Sequence, residues 1–431
     1  MLIRFQVENF RSLKERQELS LVASSLGDAP DAVRPTDAAE PGLLCVAAIY
    51  GANASGKTNI NKALQYMENA VEASQRIWRP EADIPTDPFL LDVKSQNERS
   101  LFSVDFLLEN VRYEYGFTLN AAQILEEWLY AYPIGRKQIW FHRETAEKTT
   151  IRFGKHLLGE NRTIENLTRR NSLFLSAAAQ NNHEQLTPIY RWFADGLVFI
   201  GRDRSALDQH TATRCKDSSF RQAVFSLLGG ADLGIVDLVV TEEQINDDVK
   251  ALLRQLISTF EKVPGSPKVS IKVPESIARI SFQHSSTDNP TGIPFESDKE
   301  SAGTIALFAL LGPIVAVLKE GGVLVVDELD ASLHPLLAVE IVKLFNNPSQ
   351  NPRNAQLIFN THDTNLLESA GLRRDQIWFI EKDPAGSSHL YPLTDFKPRR
   401  HENLKAGYLQ GRYGAIPFVE SHAPLEEPIE K

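Results

Sequence analysis

Nine consecutive residues, Gly51-Ala52-Asn53-Ala54-Ser55-Gly56-Lys57-Thr58-Asn59, concentrate the chemistry this chain can do. The two glycines let successive backbone N–H groups converge on phosphate oxygens. Lys57 adds a point charge at the β- and γ-phosphates, and the Thr58 hydroxyl can ligate Mg2+. An apolar run, Leu43 to Tyr50, precedes the loop and a helical pattern succeeds it, so the helix aims its positive end at the same anion. The pattern implies a bound nucleoside triphosphate. An ordinary glycine-containing turn before a helix would need none of these coincidences.

Three further groups could complete such a site. Gly322 to Val326 is an apolar strand ending in Asp327 and Glu328. There the first acid can hold Mg2+ and the second can orient and deprotonate the water that attacks the γ-phosphate. Alone, an acidic pair is more often a solvated turn; in a chain with a phosphate loop, catalysis is the better reading. The apolar run Gln356 to Phe359 leads into Asn360-Thr361-His362-Asp363, where His362 could bond the γ-phosphate and report its presence. Glu300-Ser301-Ala302-Gly303-Thr304 opens an apolar helix, and Ser301 and Gly303 there offer a hydroxyl and free amides to an anion. Read alone, Ser301 is an N-cap.

The elements that must position these groups alternate in an α/β manner. Leu2 to Phe10 and Leu19 to Ala23 suggest short strands, and Gly56 to about Ala73 a helix. From Leu101 to Phe153 alternation predicts an antiparallel meander. The stretches 156–194 and 218–260 read as helical without a sustained heptad, Val269–Val273 and Ala278–Phe282 as strands. After Ser301 strands and helices alternate again: Val323–Val326, His334–Phe345, Gln356–Phe359 and Asp375–Ile380. This predicts an α/β core begun near the N-terminus and resumed after a large α+β insertion. The expected domains are residues 1–80, an inserted region 81–299, and 300–431.

Composition narrows the partners. Lys and Arg total 46 against 56 Asp and Glu, a net charge of -10, which argues against a broadly basic, nucleic-acid-gripping surface. The two cysteines, Cys45 and Cys215, are too few for a disulfide framework. The longest apolar stretch, Ile305 to Leu318, is shorter than a membrane span of about 20 residues and contains Pro313. A cytoplasmic protein without a membrane partner is the expectation.

The order of motifs resembles the ABC-type ATPase heads of the SMC, RecF and OLD (overcoming-lysogenization-defect) proteins. Asn9-Phe10-Arg11-Ser12 resembles their N-terminal strand signature, and Asp330-Ala331-Ser332-Leu333-His334-Pro335 their D-loop. Arg374 to Phe379, Leu390 to Leu393 and Gly411 to Pro417 look like bacterial abortive-infection ATPases of the RloA and AbiLi kind. The signature differs, being Glu-Ser-Ala-Gly-Thr rather than Leu-Ser-Gly-Gly-Gln, and Gln180 is the candidate glutamine lid. The resemblance implies an ABC-type P-loop NTPase head with a mixed β-sheet core and an N-terminal antiparallel β region. ATP and Mg2+ would be its cofactors, with Thr58 and Asp327 as metal ligands and Glu328 and His362 as catalytic residues. It further implies a homodimer in which Ser301, Gly303 and Asp330 of one copy meet the nucleotide of the other.

OLD-type relatives carry a C-terminal Toprim nuclease, but the segment beyond His362 is shorter than the roughly 100 residues of a compact domain, so the resemblance implies an effector, a nuclease or toxin, in trans. Nucleic acid or a phage protein would be the trigger, and the insertion would be the sensing or partner-docking surface or, in its β-rich part, a lobe that completes the ATPase fold. The alternative is a RecF-like repair ATPase that clamps DNA, distinguished by strongly salt-dependent DNA binding without a partner. A scaffold that binds ATP without hydrolysing it is disfavoured by the Asp327-Glu328 pair. A GTPase is disfavoured because Asn61-Lys62 lies in the helix after the loop and lacks the Asp of a base-reading motif.

Overall fold

A computed structural model describes residues 1–146, 149–202, 204, 207–230, 234–261, 273, 275–286 and 292–417. Its central sheet has six strands in the order Leu197–Ile200, Val323–Val326, Gln356–Asn360, Val46–Tyr50, Ile377–Lys382 and Ser388–Pro392. The first five run parallel, and the last is antiparallel at the edge. Parallel strands are covered on both faces, which is why Val46–Tyr50 and Val323–Val326 are apolar throughout and wholly buried. Their alternation still sorts two cores. Ala47 and Ile49 face a cluster containing Ile60, Leu64 and Met67 of the helix Lys57–Ala73, together with Phe5, Phe102 and Tyr115. Val46, Ala48 and Tyr50 face the other, with Leu310 and Ile314 of the helix Ala302–Glu320 and Val342 of Pro335–Asn346.

A second, seven-stranded sheet is antiparallel throughout. Its order is Thr149–Phe153, Gln138–Thr145, Ile124–Tyr132, Val111–Leu119, Ser100–Leu108, Leu2–Glu8 and Gln17–Ser20. The expected meander is therefore present, and its strand Ser100–Leu108 lies directly against Leu2–Glu8. Gln356 bolts the two sheets together: its side chain accepts from Leu2 N at 2.6 Å and donates to Leu2 O at 2.8 Å and Leu44 O at 3.0 Å. The helix Lys57–Ala73 thus starts at the core sheet's edge and is gripped between two sheets.

The apolar helix Ala302–Glu320 is long and apolar enough to cross a membrane, yet 67% of its candidate span is buried inside the fold. Pro313 leaves the carbonyl of Ala309 without its helical N–H partner. The Thr211 hydroxyl donates to that carbonyl instead, at 3.0 Å, and close approach at Gly312 makes room for it.

Some local expectations change. Within the stretch read as helical, Ile235–Gln244 is a strand, paired with Ser276–His284 in a small sheet with Ile293–Glu296. Its run of Ile, Val and Leu has no clean helical period, and pairing with a distant strand decided the conformation. The flanking helices Ser218–Gly229 and Asp247–Glu261 are present. Leu197–Ile200 is an additional parallel strand. The short turn Arg374–Gln376 precedes the strand Ile377–Lys382, which the sequence pattern began at Asp375. Val269–Val273 lies outside the described residues except for its last position.

Candidate nucleotide site

All five parallel strands end at one edge of the central sheet, where the loops of an open α/β sheet gather ligands. Val46–Tyr50 delivers the phosphate loop, Val323–Val326 the two acids, Gln356–Asn360 His362, Ile377–Lys382 its terminal lysine, and Leu197–Ile200 Arg202. Residues Asn53 to Asn59 with Arg202, His362 and Lys382 line a cavity of about 230 Å3. Asn59 and Lys382 also line a neighbouring cavity of about 370 Å3, with Arg11, Ser12, Asp87, Phe89, Leu90 and Leu91 among its walls.

Within the loop the amides of Ser55 and Asn59 are taken up by the carbonyls of Ala52 and Gly56, at 3.3 and 2.8 Å, while the helix start itself has no side-chain cap. Gly56, at φ 108, precedes the helix without any side-chain cap. A Cβ there would collide with the Ser388 hydroxyl and come within 2.8 Å of that of Ser12. These two serines hold the loop from outside. Ser388 Oγ donates to Ser55 O at 2.6 Å and lies 2.8 Å from Ser12 Oγ, which accepts from Asn59 at 2.7 Å. Lys57 donates to the carbonyls of Gly51 and Ala52 at 2.7 and 2.8 Å. Burial pulls its ammonium down to about 8, opposed by the charge of Glu328.

Thr58 Oγ1 lies 3.0 Å from Asp327 Oδ1, though the two are 269 positions apart. Asn360 locks the acidic pair, donating to Asp327 Oδ1 and accepting from Glu328 N, each at 2.5 Å. Glu328 takes φ 55, a left-handed turn that sets its carboxylate off the strand direction. Two arginines complete the arrangement. Arg202 reaches Asp327 at 3.2 Å and Glu328 at 2.7 Å. Arg204 donates to the carbonyls of Glu328 at 2.7 Å and Ala331 at 3.1 Å, pinning the turn that carries Asp330. One oxygen of Asp330 is buried with no hydrogen-bond partner among the described residues.

His362 lines the cavity, and burial together with the charge of Lys57 lowers its pKa below the usual imidazole value, favouring the neutral ring at pH 7. Thr58 and Asp327 are hard oxygen donors that suit Mg2+, which in phosphate sites is held by one or two protein groups with phosphates and water supplying the rest. Among the described residues no group of three or more His, Cys, Asp or Glu could hold a metal ion alone. The donor set fits a metal that arrives with a nucleotide.

The structure brings together Gly51 to Asn59, Asp327, Glu328 and His362. It leaves Ser301 and Gly303 outside that cavity. Ser301 is exposed and caps its own helix, its hydroxyl accepting from Thr304 N at 3.0 Å. Glu300 is held by His284 at 2.5 Å, and a Cβ on Gly303 would sit 3.6 Å from Ser332 O, beside the turn after Asp330. Gln180 ends the helix Phe174–Gln180 and does not line the phosphate cavity. Arg202, Arg204, Asn360, Ser12 and Ser388 belong to the site by geometry, and sequence reasoning missed their part in it. For Arg202 and Arg204 the available signal is their place directly after the apolar run Leu197 to Ile200.

Residues 46–368 match the family described as "AAA domain, putative AbiEii toxin, Type IV TA system". No curated protein matches the chain. Among solved structures, it is similar to an SMC head domain from Thermotoga maritima, at 14% identity and TM-score 0.41, covering 91% of this chain and 98% of that one. It is also similar to an Smc head domain with an extended coiled coil, bound to the C-terminal domain of ScpA derived from Pyrococcus furiosus. There the identity is 13% and the TM-score 0.37, covering 96% and 99% of the two chains.

Proposed function

Because the chain belongs to the AAA-domain family that carries the AbiEii toxin description, we propose that it hydrolyses ATP with Mg2+ as a nucleotide-gated homodimer. Its role on this proposal is that of a cytoplasmic regulator of a separate effector in antiphage defence. The observation that carries the enzymatic part is the meeting of Thr58 with Asp327 at 3.0 Å, beside Lys57 and in front of Glu328. A merely structural turn has no need to unite a phosphate loop with a buried strand-end acid.

The chain's residues divide the work. Free amides at the loop and helix start, with the Lys57 ammonium, bind the phosphates, the lysine exchanging two carbonyl partners for anionic oxygens. Thr58 and Asp327 would hold Mg2+, which when bound neutralises phosphate charge. Glu328, its backbone fixed by Asn360, orients the attacking water and takes its proton. His362 hydrogen-bonds the terminal phosphate as a neutral ring. The nucleoside extends into the adjoining cavity of about 370 Å3.

The exposed Ser301 helix start, with Gly303 and Asp330, serves the nucleotide of a second copy. Two helix N-termini sharing one triphosphate hold the copies together, and loss of the γ-phosphate removes the differential affinity for the closed dimer. On this reading the effector acts in trans, a nuclease or toxin triggered by nucleic acid or a phage protein, as the motif resemblance implies.

The enzymatic reading is tested on purified protein by calorimetric ATP binding and by phosphate release with and without EDTA. ATP uptake and EDTA-sensitive release are expected; a folded protein that takes up no ATP overturns it. The defence reading is tested by phage plaquing on cells carrying the gene with its native neighbours. Protection should vanish with Lys57→Ala, and protection indifferent to that change contradicts the role.

A further inference from the structure

Arg202 and Arg204 stand two residues apart in the loop after Leu197–Ile200, yet their surroundings differ. The Arg204 guanidinium is committed to backbone carbonyls of the Asp327–Ala331 turn, at distances from 2.7 to 3.5 Å. Arg202 instead pairs with carboxylates. Its side chain is 62% exposed, lines the phosphate cavity with Lys57 and His362, and rests on Asp327 and Glu328. In an ATPase those two carboxylates have other employment, one beside Mg2+ and the other on water. A single guanidinium bound to both is contested once a γ-phosphate enters the site, because the anionic oxygens of that phosphate compete for it.

We propose that Arg202 is a mobile ligand of the terminal phosphate, parked on the Asp327–Glu328 pair and transferred to the nucleotide when ATP enters. Its planar fork matches phosphate as well as carboxylate, and its exposure lets it turn without repacking a core. Arg204 holds the loop so that this turn is made by one side chain. Release of Arg202 from Glu328 couples arrival of the γ-phosphate to freeing of the base. ADP lacks that phosphate and leaves the arginine where it is. The inference rests on the ATPase reading of the same site and adds an ATP-against-ADP discriminator to it.

The test is equilibrium binding of fluorescent ATP and ADP analogues to the wild type, Arg202→Ala and Arg202→Lys, with melting temperatures measured alongside. Arg202→Ala should lose about tenfold in ATP affinity with ADP affinity unchanged, the scale of one charged hydrogen-bonding partner. Arg202→Lys, which keeps the charge without the fork, should recover part of the loss. Equal losses for both nucleotides assign Arg202 a structural role and overturn the proposal, as does unchanged binding of both. A wild type that binds neither nucleotide defeats the ATPase reading itself, an outcome distinct from either.

Discussion

Two helix starts in this fold are candidate anion sites, and they are built in opposite ways. The one at Lys57 begins after an uncapped glycine in a left-handed conformation, is braced by Ser12 and Ser388, and sits at the edge of the core sheet. The one at Ser301 begins after an extended residue whose own hydroxyl caps it, stands on the surface, and lies outside the phosphate cavity. An uncapped, buried helix start needs an outside partner for its amides, whereas a capped, exposed one is stable alone. On the proposed reading the first start is a site dedicated to its ligand and the second a face that can be lent to one.

The largest expected effect lies on the dedicated side. Glu328→Gln should lower the rate of phosphate release by a factor of about 10²–10⁴ while ATP still binds, since it removes the base and leaves the cradle intact. Steady-state phosphate assays beside calorimetry check it; a rate near the wild type's shows that another group activates the water. Lys57→Ala should weaken ATP binding at least about 100-fold, equivalent to about 2.7 kcal/mol, and titration with a fluorescent analogue reads it. Gly56→Ala forces a side chain into a left-handed backbone against two serine hydroxyls. It should cost about 1–3 kcal/mol in loop conformation, seen as a lower melting temperature together with weaker ATP binding. Ser301→Ala, by contrast, should cost only the cap, about 1 kcal/mol of stability, and leave a single copy's affinity for ATP unchanged. Loss of that affinity would erase the distinction between the two helix starts.

The smallest effect is a proton count. With Lys57 brought down to about 8 by burial, its ammonium is partly deprotonated above that pH. Triphosphate favours the charged form, so binding at pH 8.5 should take up protons, detected as a buffer-dependent heat, and should do so less at pH 7. The folding linkage has the matching sign. Between about pH 8 and the unfolded lysine value of about 10.4, the unfolded chain holds more protons at this position than the folded one, so this group's contribution to stability rises with pH. A binding heat independent of buffer at pH 8.5 excludes Lys57 as the titrating group.

Much of this contrast is legible in the sequence. The phosphate loop is local, nine residues after an apolar strand, and the strand ending in Asp327-Glu328 carries its own signal in an unbroken apolar run. The sheet order that unites them is not local, and the α/β alternation implies only a core that begins near the N-terminus and resumes after the insertion. Chemistry borrowed from irregular chain is harder to read. Arg202 and Arg204 come after a four-residue edge strand with no period to detect, and Ser388 reaches the loop from another strand. The strand Ile235–Gln244 is hidden because its conformation is set by pairing with Ser276–His284, far along the chain. Position along the sequence also conceals that Ser100–Leu108, within the expected insertion, continues the sheet begun by Leu2–Glu8.

Whether one nucleotide is shared by two copies is decided by the solution mass of Glu328→Gln, measured by light scattering with Mg2+ and either ATP or ADP. If the exposed Ser301 start completes the nucleotide site of a second copy, ATP should double the mass and ADP should not. A mass that is the same with ATP, with ADP and without nucleotide, in protein shown to bind ATP, contradicts the shared site.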